Sequence, residues 1–546
     1  MPGLVPGPHE IAIRKGLRVP MDDGIELLAD LITPAGELDR QLPTVVIRGP
    51  YGRGGAIANQ ARALAREGFT VLFQSCRGTS GSGGRFTPQV DEQRDGIATH
   101  RWVREQEWCT GSVATFGPSY MGFTQWAVAG AMCTTDPGNA PDALCLITTM
   151  PDFGAITWDG GAFSLRNALG WTQMMDRMIH RQMLALALGL LRPDRKLRKA
   201  FDALPLTTGD RAANGRTVHW YQDWVRHEKL TDEYWTQQSH TASVGEVTQP
   251  VYMISGWYDI FLPWQLRNYA QLVEAGRPPR LTVGPWGHLS RGMNAPVVAE
   301  STAFLREHFT GAPSTREKPV RAYLTGAGRW HDLETWPPRG TRTESRYPTA
   351  AGGPGSDRPD GGVTRYIYDP ADPTPALGGP SLRPYCGPVD NTDHERRADV
   401  VVFRGEPLPE AVIVAGEITA HVRFRSSAAG ADIFVRICDV HPDGRSMTVC
   451  DGIRRIGSIG TAATDPEPDG DGFADVEVRL WPAFHRFEAG HRIGVQISSG
   501  AHPRYARNPG SGEAAAEATI LHRAEQEISH SATAPSRIDL PVWSTR

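Results

Sequence analysis

Cysteine is sparse and scattered in this chain: seven residues in 546, none in a CxxC pair or a Cys/His cluster with zinc spacing. That argues against a disulfide framework and a zinc motif, and predicts reduced, mostly buried thiols. Long basic runs are missing as well. With a formal net charge of −4 and no stretch of Lys and Arg to displace counterions, nucleic acid is not expected as a partner. The longest apolar run, Met183 to Leu191, is far short of the roughly 20 residues a membrane span needs and reads as a buried helix. The opening MPGLVPGPHE has no apolar core of the secretory kind, so a cytoplasmic location is expected by default. What remains is a soluble globular composition, 40% hydrophobic and 22% charged, long enough for two or three domains.

Residues 17 to 33 alternate around Asp22-Asp23-Gly24, the signature of a hairpin with a tight turn. A short strand, Thr44 to Ile47, is stopped by Arg48-Gly49-Pro50. Helix (Ala56 to Glu67), strand (Thr70 to Gln74), helix (Asp91 to Glu107) and strand (Ser112 to Phe116) follow. This alternation predicts a parallel sheet whose chemistry sits on loops at the strand C-terminal ends. From about 150 the pattern turns helical and rich in Met, Trp and Leu, clearest over Leu165 to Gly189. Strands resume at Val251 to Ser255 and Arg280 to Val283, so the helical stretch reads as an insertion, a cap over the site being its natural role and a plain structural insertion the competing reading. Residues 339 to 363, dense in Gly, Pro, Ser, Thr and Asp, mark a boundary or a long loop. Alternating runs at Ile418 to Phe424, Ile433 to Val440, Ala474 to Leu480 and His491 to Ile497 then predict an antiparallel sandwich or jelly roll. The expected division is 1–148 with 246–345 for an α/β domain, 149–245 for the cap and 346–546 for the β domain.

The strand ending at Phe116 runs into Gly117-Pro118-Ser119-Tyr120-Met121-Gly122, and Phe123 to Met132 reads as a helix. A nucleophile elbow needs this setting: a serine on a strained strand-to-helix turn, flanked by small residues, near backbone N–H groups that can face an oxyanion. The spacing departs from G-x-S-x-G, because Met121 stands where the second glycine belongs. A plain Gly/Ser turn before a core helix is the competing reading. Serine needs a base, and in this fold the acid and then the histidine follow the serine. One strand delivers Asp259 after Gly256-Trp257-Tyr258; another delivers His288 after Gly284-Pro285-Trp286-Gly287. His308 is the weaker candidate base, and Asp259 could instead be a turn or capping residue. For the oxyanion the expected donors are the N–H of Tyr120 and the hydroxyl of Tyr51, in the loop after Thr44 to Ile47.

Taken together, Arg48-Gly-Pro-Tyr51, Arg77-Gly-Thr-Ser-Gly-Ser-Gly-Gly84, Gly117-Pro-Ser-Tyr-Met-Gly122, Gly256-Trp-Tyr-Asp259 and Gly284-Pro-Trp-Gly-His288 resemble the cocaine-esterase-like (CocE/NonD) hydrolases. These are relatives of the Xaa-Pro dipeptidyl-peptidases. The resemblance spans nearly the whole chain. It implies an α/β-hydrolase domain with a helical cap and a C-terminal jelly roll, the triad Ser119, Asp259 and His288, and an oxyanion hole from Tyr51 and Tyr120. It also implies an acyl pocket lined by Trp158, Trp171 and Phe261. Serine followed by Tyr and then x-Gly is this family's own elbow, which accounts for Met121. Arg53 stands where many relatives carry Lys.

The Gly78 to Gly84 run lacks the ending of a phosphate-binding loop. Asp465 to Gly470 mimics a calcium loop, but Val476 takes the place of the needed glutamate, so a solvated turn is expected. The expected chemistry is acyl transfer through Ser119 on a small ester or amide, with no metal or organic cofactor; a homodimer is left open. The rivals are an Xaa-Pro dipeptidyl-peptidase or α-amino-ester hydrolase, which need acidic groups for a free ammonium, and a carbohydrate- or surface-binding protein with a decayed hydrolase domain.

Overall fold

A computed structural model describes residues 8–36, 42–182, 193–350, 352–383, 386–457 and 465–544. The apolar run Met183 to Leu191 lies outside them. The central feature is a ten-stranded sheet: β1 (Ile11–Pro20), β2 (Glu26–Pro34), β3 (Leu42–Gly49), β4 (Thr70–Ser75), β5 (Cys109–Pro118), β6 (Ala143–Ile147), β7 (Val251–Tyr258), β8 (Arg280–Gly287), β9 (Val320–Leu324) and β10 (Arg329–Leu333). Their order is β1-β2-β4-β3-β5-β6-β7-β8-β9-β10. From β4 to β9 neighbouring strands run parallel, and the edges are antiparallel. The β1–β2 hairpin turns at Gly24, whose φ of +79° suits glycine. Helices α1 (Asn59–Arg66), α2 (Glu92–Arg104) and α3 (Tyr120–Thr135) provide the crossovers expected of such a sheet. Strands β3, β4, β6 and, apart from its last residue, β7 are buried throughout, because helices cover both faces. That burial also explains why β6 escapes a sequence reading: Ala-Leu-Cys-Leu-Ile has no alternation to announce a strand.

Between β6 and β7 the chain is mostly helical, with α4 (Leu165–Ile179) and α5 (His219–Arg226) presenting Trp171, Trp220 and Trp224 inward. After β10 the described residues are β-rich, with one short 3-10 helix at His394–Arg396. A larger nine-stranded sheet includes Thr341–Thr349, Arg537–Trp543, Thr419–Ser426, Ala524–Ser529 and Val363–Tyr368 in adjacent positions. A four-stranded sheet orders Val401–Arg404, Arg492–Ser498, Ala431–Val440 and Ser446–Ile456. Val422, Phe424, Val435, Ile437, Val495 and Leu540 share the core between them.

Two expectations need correcting. The stretch 339–363 is not one long loop: Thr341–Thr349 pairs with Arg537–Trp543, and Gly352–Gly355 folds back on it. The strand is largely polar, and of its residues only Pro348 is buried, so no apolar alternation marks it. The alternation of Ala431–Val440 also misleads, since all ten residues are buried. Its polar positions are covered through ion pairs, Asp432 with Arg455 at 2.7 Å and Arg436 with Asp451 at 3.0 Å. This face docks on the cap, where the Arg455 N–H donates to the Gly160 carbonyl at 2.8 Å.

Candidate active site

Ser119 lies between β5 and α3 with φ +60° and ψ −126°, a strained conformation for a residue with a side chain. The turn is held from both sides. The Ser119 N–H donates to the Ile147 carbonyl at 2.9 Å, and the Thr149 hydroxyl donates to the Ser119 carbonyl at 2.8 Å. A Cβ on Gly117 would meet the Met121 Cβ at 2.5 Å, and one on Gly122 would meet the Thr149 Cβ at 2.5 Å. The displaced glycine therefore has a steric reason. Met121 finds room because residue 49 is glycine: a Cβ there would lie 2.5 Å from the Met121 Cγ.

Beneath the elbow is a buried polar network that sequence reading missed. The Tyr120 hydroxyl donates to Glu92 at 2.9 Å and accepts from the Gln89 N–H at 2.7 Å. Glu92 pairs with Arg48 at 3.1 Å, and Arg48 also donates to Gln74 at 2.8 Å. Burial raises the Glu92 carboxyl above its ordinary range, against the opposing pull of Arg48. The Tyr120 phenol is likewise driven far up by burial and the Glu92 charge, which keeps it a neutral donor. Four residues from four separate segments cannot announce such a network by spacing.

Asp259 follows β7 and is fully buried. One carboxylate oxygen meets the His288 Nδ1 at 2.7 Å, and the other accepts the Phe261 N–H at 2.8 Å. The Asp259 carbonyl accepts from the Trp481 indole N–H at 3.1 Å, so the C-terminal β region braces the acid loop. His288 follows β8, its ring edge-on to Phe261 at 5.2 Å between centroids. His308, by contrast, packs on Phe304 within α6 (Asn294–Thr310). Tyr51 is half-buried beside the serine, and loss of water raises its phenol to about 12 against hydrogen bonds with Trp171 and Ser119. Because the Trp171 indole donates to the Tyr51 oxygen at 3.1 Å, the phenolic proton is left for another acceptor.

A narrow apolar cavity of about 50 Å³ opens beside Ser119. Trp171 and Phe261 line it, together with Phe153, Trp224, Ile260 and Leu382. Trp158 does not. It is buried in the cap, donating its indole N–H to the Trp224 carbonyl at 2.9 Å and packing on Phe163. The cavity position belongs to Trp224, on α5. Leu382 comes from the C-terminal β region, between the strands Val363–Tyr368 and Val401–Arg404, which no local motif could disclose. No carboxylate is found among the described lining residues, whose polar members are Gln89, Thr157, Ser164, Asn167 and Ser119 itself. The Asp465–Gly470 segment is a turn: Asp465 accepts from the Gly457 N–H, and Asp469 accepts two backbone N–H groups and pairs with Arg423.

A parallel sheet with this order, carrying a strained serine before a helix and an Asp–His pair on later strand ends, defines the α/β-hydrolase class. Residues 23–290 match the model of the X-Pro dipeptidyl-peptidase (S15) family, and residues 312–539 match the X-Pro dipeptidyl-peptidase C-terminal non-catalytic domain. The chain is 30% identical to the cocaine esterase of Rhodococcus sp. (strain MB1 Bresler), with 99% of this chain and 100% of the relative covered. Among solved structures it is similar to an aminopeptidase from a marine sediment Thaumarchaeota archaeon (22% identity, TM-score 0.81, 98% and 97% covered). An α-amino acid ester hydrolase gives the same four values. A CocE/NonD family hydrolase from Staphylococcus aureus follows at 15% identity and TM-score 0.71, with 98% and 94% covered. The chain belongs to the CocE/NonD serine hydrolases of the S15 family.

Proposed function

We propose that the protein is an esterase that transfers a compact hydrophobic or aromatic acyl group to Ser119 and then to water. In this reading Ser119 Oγ attacks the ester carbonyl while His288 takes its proton. Asp259 orients the imidazole through Nδ1 and stabilises the imidazolium. The negative charge on the tetrahedral intermediate is met by the Tyr51 hydroxyl and the Tyr120 N–H, which, at the first position of α3, has no acceptor within the helix. His288 returns the proton to the leaving alcohol, and water repeats the sequence on the acyl-enzyme. Amides are slower substrates of the same machinery.

The observation that carries the substrate class is the cavity: narrow, aromatic and free of carboxylates among its described lining residues. A peptidase or amino-ester hydrolase needs buried acid there to pair a free ammonium group. The likeness to those structures, at 22% identity, is one of fold. The test compares p-nitrophenyl butyrate with Ala-Pro-p-nitroanilide. Turnover of the ester with at least about 100-fold lower kcat/KM on the anilide is expected; a preference for the anilide overturns the assignment. The division into an α/β domain (1–148 and 246–345), a cap and a C-terminal jelly roll goes with this reading, the last boundary being moved back to about 340 by the strand Thr341–Thr349. We also place the protein in the cytoplasm, a reading supported by seven cysteines that are all free. No helix among the described residues is long and apolar enough to cross a membrane.

A further inference from the structure

Away from Ser119, three imidazoles converge on one buried carboxylate. Asp439, near the end of Ala431–Val440, is 4% exposed. Its Oδ1 lies 2.8 Å from the Nδ1 of His491, and its Oδ2 lies 3.2 Å from the Nε2 of His485 and 3.8 Å from the Nε2 of His441. The register explains the meeting. Val440 pairs with Arg492, so His441 and His491, one residue beyond each, face each other across the strand ends. Their rings are 4.4 Å apart between centroids. One donor atom from each of Asp439, His441 and His491 falls within 4.8 Å of the other two.

We propose that Asp439, His441 and His491 form a binding site for a borderline divalent transition-metal ion of the zinc type, with His485 positioning the carboxylate. The donor set decides the class. Two imidazoles and a carboxylate suit zinc, cobalt, nickel or copper, whereas calcium and magnesium call for oxygen ligands. With bonds of about 2.0–2.1 Å, tetrahedral ligands stand roughly 3.4 Å apart, and one donor atom from each of the three residues lies within 4.8 Å of the others here. Small side-chain rotations close the difference. His485 is the outer partner such sites use: its Nδ1 is held by the Thr325 hydroxyl at 2.9 Å, and its Nε2 by Asp439. His441 is partly open to solvent, which gives an ion a way in and leaves a coordination position for water.

The location suggests what the ion does. His441 and His491 border the four-stranded sheet, His485 belongs to Ala483–Phe487 of the larger sheet, and Thr325 follows β9 of the hydrolase sheet. An ion here clamps three pieces of chain and takes no part in acyl transfer.

The test uses the full-length protein, treated with EDTA and then freed of it. Titration with zinc sulfate, followed by calorimetry and elemental analysis, is expected to give one ion per chain and to raise the melting temperature by a few degrees. Cobalt(II) should give the visible absorption of a tetrahedral site. Asp439→Asn and His491→Ala should weaken zinc binding at least about 100-fold. If those variants fold poorly, His441→Gln at the exposed rim serves instead, its folding checked by circular dichroism. Hydrolysis of p-nitrophenyl butyrate should be unchanged by chelation. The absence of zinc and cobalt binding at 100-fold molar excess, or binding undiminished in folded His441→Gln, overturns the site.

Discussion

At the scale of single residues, the oxyanion donor is the sharpest claim. Tyr51→Phe removes one hydroxyl and little packing, so kcat should fall about 100-fold or more, close to 3 kcal/mol of transition-state stabilisation, with an unchanged melting temperature. Stopped-flow rates beside thermal unfolding check both halves. Trp171 acts on that donor from behind by occupying the Tyr51 oxygen with its indole N–H. Trp171→Phe keeps an aromatic ring in the cavity and loses that hydrogen bond, worth about 1 kcal/mol, so kcat should drop roughly fivefold. An equal effect on KM alone would mean that Trp171 serves only as a wall for the acyl group.

At the scale of elements, the elbow is a packing problem solved by residues far apart in sequence. Met121 sits where a glycine is usual because Gly49, on β3, leaves it space. Gly49→Ala should destabilise the protein by about 1–3 kcal/mol in urea unfolding, while the same change in a Met121→Ala background should cost markedly less. Strict additivity of the two changes would contradict this account. The same elements show what a sequence can disclose. Ser119, Asp259 and His288 could be picked as candidates because each ends a strand, and strand ends are marked by apolar runs running into glycine. The Glu92–Arg48–Tyr120 network could not, because it depends on side chains meeting across β3, α2 and α3. Trp158 and Trp224 show the same limit inside the cap. Both are tryptophans among apolar neighbours, and only the tertiary packing between β6 and β7 decides which one reaches the cavity. Likewise β6 lacked a periodic signal because both its faces are buried, and Thr341–Thr349 lacked one because it is largely polar on both faces.

At the scale of the whole molecule, the C-terminal β region is part of how the site is held. Trp481 braces the Asp259 loop, and Tyr505 donates a hydrogen bond to Asp159 of the cap. Burial raises the Asp159 carboxyl from 3.8 to about 6, and the Tyr505 hydrogen bond only partly offsets it. The folded state therefore holds a proton that the unfolded chain releases between about pH 4 and pH 6. Stability is fully present below that window and declines as pH rises through it. The span corresponds to roughly 2 kcal/mol, allowing for water at the partly exposed edge of this residue. Asp159→Asn still accepts from Tyr505 but cannot ionise. Its melting temperature should match that of the parent near pH 4 and exceed it by a few degrees at pH 7.5; a gap independent of pH would remove Asp159 from the account. The metal clamp proposed at Asp439 belongs to this scale too. Its ligands are separated by up to 52 positions and become neighbours only when two strand ends pair.

The account rests on Ser119 as the nucleophile that carries the acyl group. Incubation with a fluorophosphonate, followed by intact-mass and peptide mass spectrometry, tests it most directly. One adduct per chain on the peptide containing Ser119, absent in Ser119→Ala and greatly slowed in His288→Ala, is the predicted result. An adduct on another residue, or labelling that persists in Ser119→Ala, would contradict it.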